Sequence, residues 1–305
     1  MSHGIVEALA IFGAGVAAGT INTVVGSGTL ITFPTLLAFG YPPVLANVSN
    51  NVGLVPGVAS GAHGYRAELA GQRRRVIRLG SASVCGGLLG AVLLLVLPAG
   101  AFKAIVPALI GIALVMVVIQ PRLAKRMAAR QRARAGAAGA AGIPAGPAIP
   151  VTPAGPGGPA GAASTAAPGI PAGMAGAMLT ADVPAAASAV GGPVVWLLVF
   201  CSGVYGGYFG AAQGVLLIGL LGIALNDSLQ RINAVKNVLA GMVNGVAAVV
   251  FIALTHVDWA AAGLIAAGSV IGGQLGARIG RRLPPWALRA VIICVGTAAL
   301  VKLLA

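Results

Sequence analysis

The sequence predicts an all-α polytopic membrane protein of two inverted-topology repeats, each with a broken pair of short helices plus full transmembrane helices. Three observations predict it. First, 58% of the 305 residues are hydrophobic and 8% are charged, at a mean hydropathy of +0.97. That is too little charge to cover the surface of a soluble domain of this length. Second, apolar runs alternate with short polar punctuation, about 8–10 apolar segments in all, and the alternating pattern of a β-barrel is absent. Third, the chain returns to itself, with the stretch 15–51 copied at 203–237. Gly15 and Gly19 match Gly203 and Gly207; after a two-residue deletion Gly28, Leu30, Asn47 and Asn51 match Gly214, Leu216, Asn233 and Asn237. Broken apolar segments at matching positions of two halves point to a transporter's binding site. Chance likeness of Gly/Ala-rich helices is the competing explanation, and the shared asparagines and segment order favour duplication.

In chain order, residues 5–25 form the first apolar segment, with Gly15 and Gly19 spaced for close helix contact. Glu7 and the lack of a basic leader make it a retained helix rather than a cleaved signal. Gly26-Ser27-Gly28 interrupts it, and residues 29–40 fall short of the roughly 20 that a span needs. Tyr41-Pro42-Pro43 makes a turn. Residues 44–64 are apolar again but carry Asn47, Ser49, Asn50 and Asn51 at their start. A basic loop with Arg66, Arg73, Arg74, Arg75 and Arg78 precedes two ordinary spans, 79–97 and 102–120. Residues 5–120 thus make the first transmembrane repeat. Residues 121–192 are a linker, basic at first (Arg122, Lys125, Arg126, Arg130, Arg132, Arg134) and then Ala/Gly/Pro-rich, which reads as disordered and cytoplasmic. The second repeat, 193–304, follows the same plan: a span 193–212, a short segment 214–225, the turn Asn226-Asp227-Ser228, and spans 232–254, 259–277 and 287–304. His256 and Asp258 stand between two of these spans, and Arg278, Arg281, Arg282 and Arg289 between the last two.

Basic loops face the cytoplasm. The Arg clusters at 66–78, 122–134 and 278–289 are therefore inside, and residues 256–258 outside. Residues 193–255 must then cross an odd number of times, as must 5–65. Both termini fall outside and the halves are inverted. The turn at 226–231 should be inside and carries Arg231, whereas its counterpart at 40–45 should be outside and carries no charge.

The net charge of +14 reflects these topology signals. A nucleic-acid surface would interleave aromatics with the basic residues, and none does. Cys85, Cys201 and Cys294 lie singly in apolar segments and read as small core residues; with His3, His63 and His256 they match no metal spacing. No metal or cofactor is called for.

A helix interrupted in mid-bilayer exposes N–H groups at an end carrying about half a positive charge, which suits an oxyanion. Gly26-Ser27-Gly28 and Gln213-Gly214 are where such breaks fall, with Ser27 and Gln213 as side-chain donors. The alternative is that the glycines only permit packing. Asn47 and Asn51, and Asn233 and Asn237, are i, i+4 pairs on one helical face. Buried amides need partners. A substrate cavity or a capping role would each supply them. Asn22, Asn50 and Asn244 are lesser candidates. Lys236 is the basic residue inside an apolar segment, and its repeat counterpart is Asn50. It either snorkels to the interface or gives an anion its charge partner. No carboxylate sits deep in a span.

The runs GAGVAAGTINTVVGSGTLITFPTLLAFG, NVSNN and LQRINAVKNVLAGMVNGVAAVVFIAL resemble the two halves of the TauE/SafE sulfite exporter family, also described as toluenesulfonate uptake permeases. The resemblance covers residues 5–120 and 193–304. It implies an integral inner-membrane protein moving small sulfur-containing anions such as sulfite, sulfonates or sulfoacetate. The run Gly210-Ala211-Ala212-Gln213-Gly214 departs from the purer glycine run of that family. The partners expected are a small anion and the lipid bilayer, and a homo-oligomer is compatible with such a chain. A passive anion channel fits the same composition. An intramembrane serine protease using Ser27 and His256 would need Gly where Val25 stands.

Overall fold

The computed structural model describes residues 2–98, 100–102, 104–119, 122, 129, 192–225, 227–279 and 285–304. The reading of 121–192 as a linker lies almost wholly outside the described residues.

The remainder is helical, with no strand among the described residues. Helix α1 (Ser2–Val24) is followed by the short α2 (Thr29–Ala38) and by α3 (Pro43–Gly64), and a 3₁₀ turn (Arg66–Leu69) leads to α4 (Arg73–Val96). Helix α5 spans Gly100–Ile119. Further along the chain come α6 (Pro193–Tyr208), the short α7 (Gln213–Ala224), α8 (Leu229–Leu254), α9 (Trp259–Ile279) and α10 (Pro285–Leu304). Among the described residues, five helices (α1, α4, α5, α8 and α9) are long and apolar enough to cross a membrane.

Two boundaries differ from expectation by four residues or more. Helix α4 begins at Arg73, six residues before the expected span, so Arg73, Arg74, Arg75 and Arg78 are helical. Charged residues at a membrane surface extend the helix beyond the hydrocarbon, because long side chains reach the water. Helix α6 ends at Tyr208, four residues before the expected end.

Apolar surface gives little drive for helix pairing where lipid tails are equally apolar, so close pairing relies on small residues. Among the most extensive helix pairings are α1 on α9 and α4 on α6. Their contacts correspond. A Cβ on Gly268 or Gly272 of α9 would strike the carbonyl of Phe12 or Val16, and one on Gly86 or Gly90 of α4 would strike that of Phe200 or Val204. Phe200 and Val204 follow Phe12 and Val16 by the same interval that separates Gly203 from Gly15. Helix α3 lies against α8 and α9, and α8 against α4.

The cysteines do not sit in the core as expected: Cys85, Cys201 and Cys294 are exposed on the helix surfaces. A thiol is small and apolar enough for a lipid-facing position.

Candidate functional site

Both broken helices end the same way. The N–H groups of Val25 and Gly26 bond to the Ile21 carbonyl at 2.7 and 3.0 Å, and those of Phe209 and Gly210 to the Tyr205 carbonyl at 3.0 and 3.1 Å. Gly26 (φ +88°) and Gly210 (φ +77°) take the left-handed conformation that terminates a helix at low cost only for glycine. In the second half the break falls at 209–212, upstream of Gln213-Gly214. Gln213 opens α7, and Gly214 lies in its first turn. Ala212 carries the remaining turn at φ +59°, an uncommon conformation for a residue with a Cβ.

The breaks meet. The Gly214 N–H donates to the Gly26 carbonyl at 3.0 Å, and a Cβ on Gly214 would collide with the Gly26 Cα. Gly28 in turn lets α2 fold back on α1, since its Cβ would lie 2.6 Å from the Ala18 carbonyl.

Three side chains of α8, spaced i, i+3 and i+4, converge on the last turn of α1. Asn233 Nδ2, Lys236 Nζ and Asn237 Nδ2 lie 3.2, 3.3 and 3.4 Å from the Thr23 carbonyl oxygen, and Lys236 Nζ lies 3.0 Å from that of Asn22. Final-turn carbonyls lack helical partners and form the negative end of the helix dipole, so an ammonium and two amides complement them. Asn47, the sequence counterpart of Asn233, donates from Nδ2 to the Tyr208 carbonyl at 3.0 Å. Each half thus uses an asparagine to cap the interrupted helix of the other. For Asn47, Asn233 and Asn237 the capping role left open by the sequence is occupied.

Other polar groups stay unmet. Ser27 Oγ, Asn50 Nδ2, Asn51 Oδ1, Gln213 Nε2 and Asn233 Oδ1 are buried without a hydrogen-bond partner among the described residues. Such groups are uncommon in folded proteins. Thr32, which sequence reasoning passed over, places its hydroxyl on Asn50 Oδ1. Gln213 packs its amide over Gly206. The carbonyls of Asn22, Thr23 and Tyr208 were not foreseeable, because a backbone acceptor has no residue signature.

Lys236 is 1% exposed and, among the described residues, is the one ionisable side chain in the buried polar set, which contains no Asp or Glu. No group of residues that could hold a metal occurs among the described residues. Two cavities among the described residues, of about 320 and 250 Å³, are apolar and border α7; one is lined by Met116, Ile119 and Val215, the other by Leu198, Cys201 and Ser202. Of the candidate residues, neither touches any. His256 is exposed in the turn after α8 and is not a partner of Ser27.

The ends of the bundle differ in chemistry. At one, Asp227 is bridged by Arg75 at 2.7 Å and Arg231 at 2.8 Å, and Gln72 Nε2 donates to the Arg231 carbonyl at 3.3 Å. Burial opposes ionisation of Asp227, but the hydrogen bonds from Arg75 and the Ser228 N–H, with both guanidinium charges, outweigh it and hold the carboxyl below its usual range. At another, Tyr41 donates its hydroxyl to Glu7 at 3.1 Å, and the Asp258 N–H donates to Ser49 Oγ at 3.0 Å. Burial, then the Asp258 and Glu7 carboxylates, push the Tyr41 phenol up to about 12.

Interrupted helices meeting back to back inside a bundle of long apolar helices define a multi-pass α-helical membrane protein. A family model described as Sulfite exporter TauE/SafE matches residues 11–303, and the chain belongs to this family of membrane transporters. A "Probable membrane transporter protein ORF9" from Sinorhizobium sp. is 32% identical over 105 residues, which is 34% of this chain. The matched stretch spans 40% of that relative's length. No solved structure matches the chain.

Proposed function

We propose that the chain carries small anions, of the sulfur-containing class that the family description names, between two inverted repeats. The observation that carries this reading is the buried charge: among the described residues a buried lysine and no buried carboxylate, beside paired breaks. A buried ammonium without a counter-ion is costly, and an anion relieves that cost. With Lys236 as its charge, the proposed site takes in Ser27 and the head of α2 (Gly26, Gly28), Gln213 and Gly214 at the head of α7, and the amides of Asn47, Asn51, Asn233 and Asn237. Attraction in such a partly dehydrated setting is worth on the order of a few kcal/mol. The corresponding contacts of α1–α9 and α4–α6 support the inverted repeat.

In proteoliposomes, Lys236→Gln should abolish or strongly weaken sulfite or sulfonate transport, and Lys236→Arg should keep part of it. Arg231→Gln should be mild. Normal transport by Lys236→Gln at normal membrane levels would make the lysine an α1 cap alone. Counterflow separates a carrier from a channel, since only a carrier shows trans-stimulation.

A further inference from the structure

On the anion-transport reading above, we infer that this site takes monoanions in preference to dianions of the same size and shape. The charge count carries the inference. Lys236 supplies one positive charge, and its Nζ already faces the carbonyls of Asn22 and Thr23 at 3.0 and 3.3 Å. The negative end of α1 therefore offsets part of that charge before any substrate arrives. The position that duplication pairs with Lys236 is Asn50, equally buried at 1% exposure but neutral. It lies on α3, which packs against the α8 helix that carries Lys236.

The helix ends add only fractions of a charge. At the head of α7 one N–H is spent, because Gly214 donates to Gly26. Other unmet donors among the described residues, such as Ser27 Oγ, Asn50 Nδ2, Gln213 Nε2 and the Tyr208 hydroxyl, are neutral. A monoanion cancels the ammonium. A dianion leaves a second negative charge in a low-dielectric surrounding with dipoles alone to meet it, and unpaired buried charge is strongly disfavoured. The asymmetry of the two halves, Lys236 against Asn50, thus sets the valence of the substrate: a sulfonate or hydrogen sulfite over sulfate or a second-carboxylate sulfonate.

Methanesulfonate and sulfate are the probes, being tetrahedral, of similar size and one charge apart at neutral pH. Their dissociation constants are measured by titration calorimetry on the full chain in lipid nanodiscs at constant ionic strength. The wild type should bind methanesulfonate ~10-fold or more tightly than sulfate. Asn50→Lys should move that ratio toward sulfate by ~10-fold or more, and Lys236→Gln should weaken both anions. Sulfate binding as tightly as methanesulfonate, with Lys236→Gln still weakening both, overturns the valence inference and leaves the anion site standing. Binding of neither anion by the wild type removes the anion reading, and the inference with it. The wild-type ratio decides even where Asn50→Lys fails to fold.

Discussion

One methyl group separates the observed crossing from an impossible one. At Gly214 an added Cβ would meet the backbone of Gly26, which cannot yield as the tip of a side chain would. Gly214→Ala must push the two breaks apart and stretch the bond from its N–H to the Gly26 carbonyl. Overpacking of this kind costs about 1–3 kcal/mol. Gly245 on α8 has open space around its Cβ direction, so Gly245→Ala should be neutral or stabilise by ~0.5–1 kcal/mol through helix propensity. Scanning fluorimetry of the purified variants should therefore show opposite shifts in Tm. A Gly214→Ala protein as stable as the wild type would mean that the breaks do not touch.

Among the elements, the turn before α8 is tied to the start of α4 through Asp227, and this link has a pH signature. The Asp227 carboxyl is held below its ordinary value, so the unfolded chain binds its proton more readily than the folded one. The contribution is present above the ordinary carboxyl range, near ~4, and is lost as pH falls through the depressed folded value. The wild-type Tm should therefore drop on acidification below pH ~4, whereas Asp227→Asn should start lower and lose less over the same interval. Equal slopes in the two proteins would remove the bridge from the stability account. What could be read in advance follows the same division between local and long-range causes. Gly26-Ser27-Gly28 marked the first break because glycine alone stops a helix so sharply. The second break was misplaced to Gln213-Gly214 because Ala212, a good helix former, carries the left-handed turn. The paired asparagines were visible as polar residues in an apolar run. Their targets at Thr23 and Tyr208 were not, since these are carbonyls brought near by folding.

At the scale of the whole molecule, orientation is the consequence most open to test. The turn at 227–231 and the Arg-rich start of α4 lie together, joined by Arg75, Asp227 and Arg231. Residues Glu7 and Tyr41 lie together, as do Ser49 and Asp258. With basic residues inside, we expect the first group in the cytoplasm, and the N-terminus and the turns at 40–45 and 256–258 outside. In an inverted arrangement each half sends its short helix back toward the side from which its broken partner entered. The turn after α2 then faces outward and the turn after α7 faces inward. Replacing Cys85, Cys201 and Cys294 by Ala and adding one cysteine at His256 or Ser228 tests this directly. A membrane-impermeant maleimide applied to intact cells should label the cysteine at 256 and spare that at 228, and permeabilised cells should label both. His3→Cys should behave like the variant at 256. Labelling of both turns from the same side would break the inversion, because two halves in parallel orientation place their matching turns on one face.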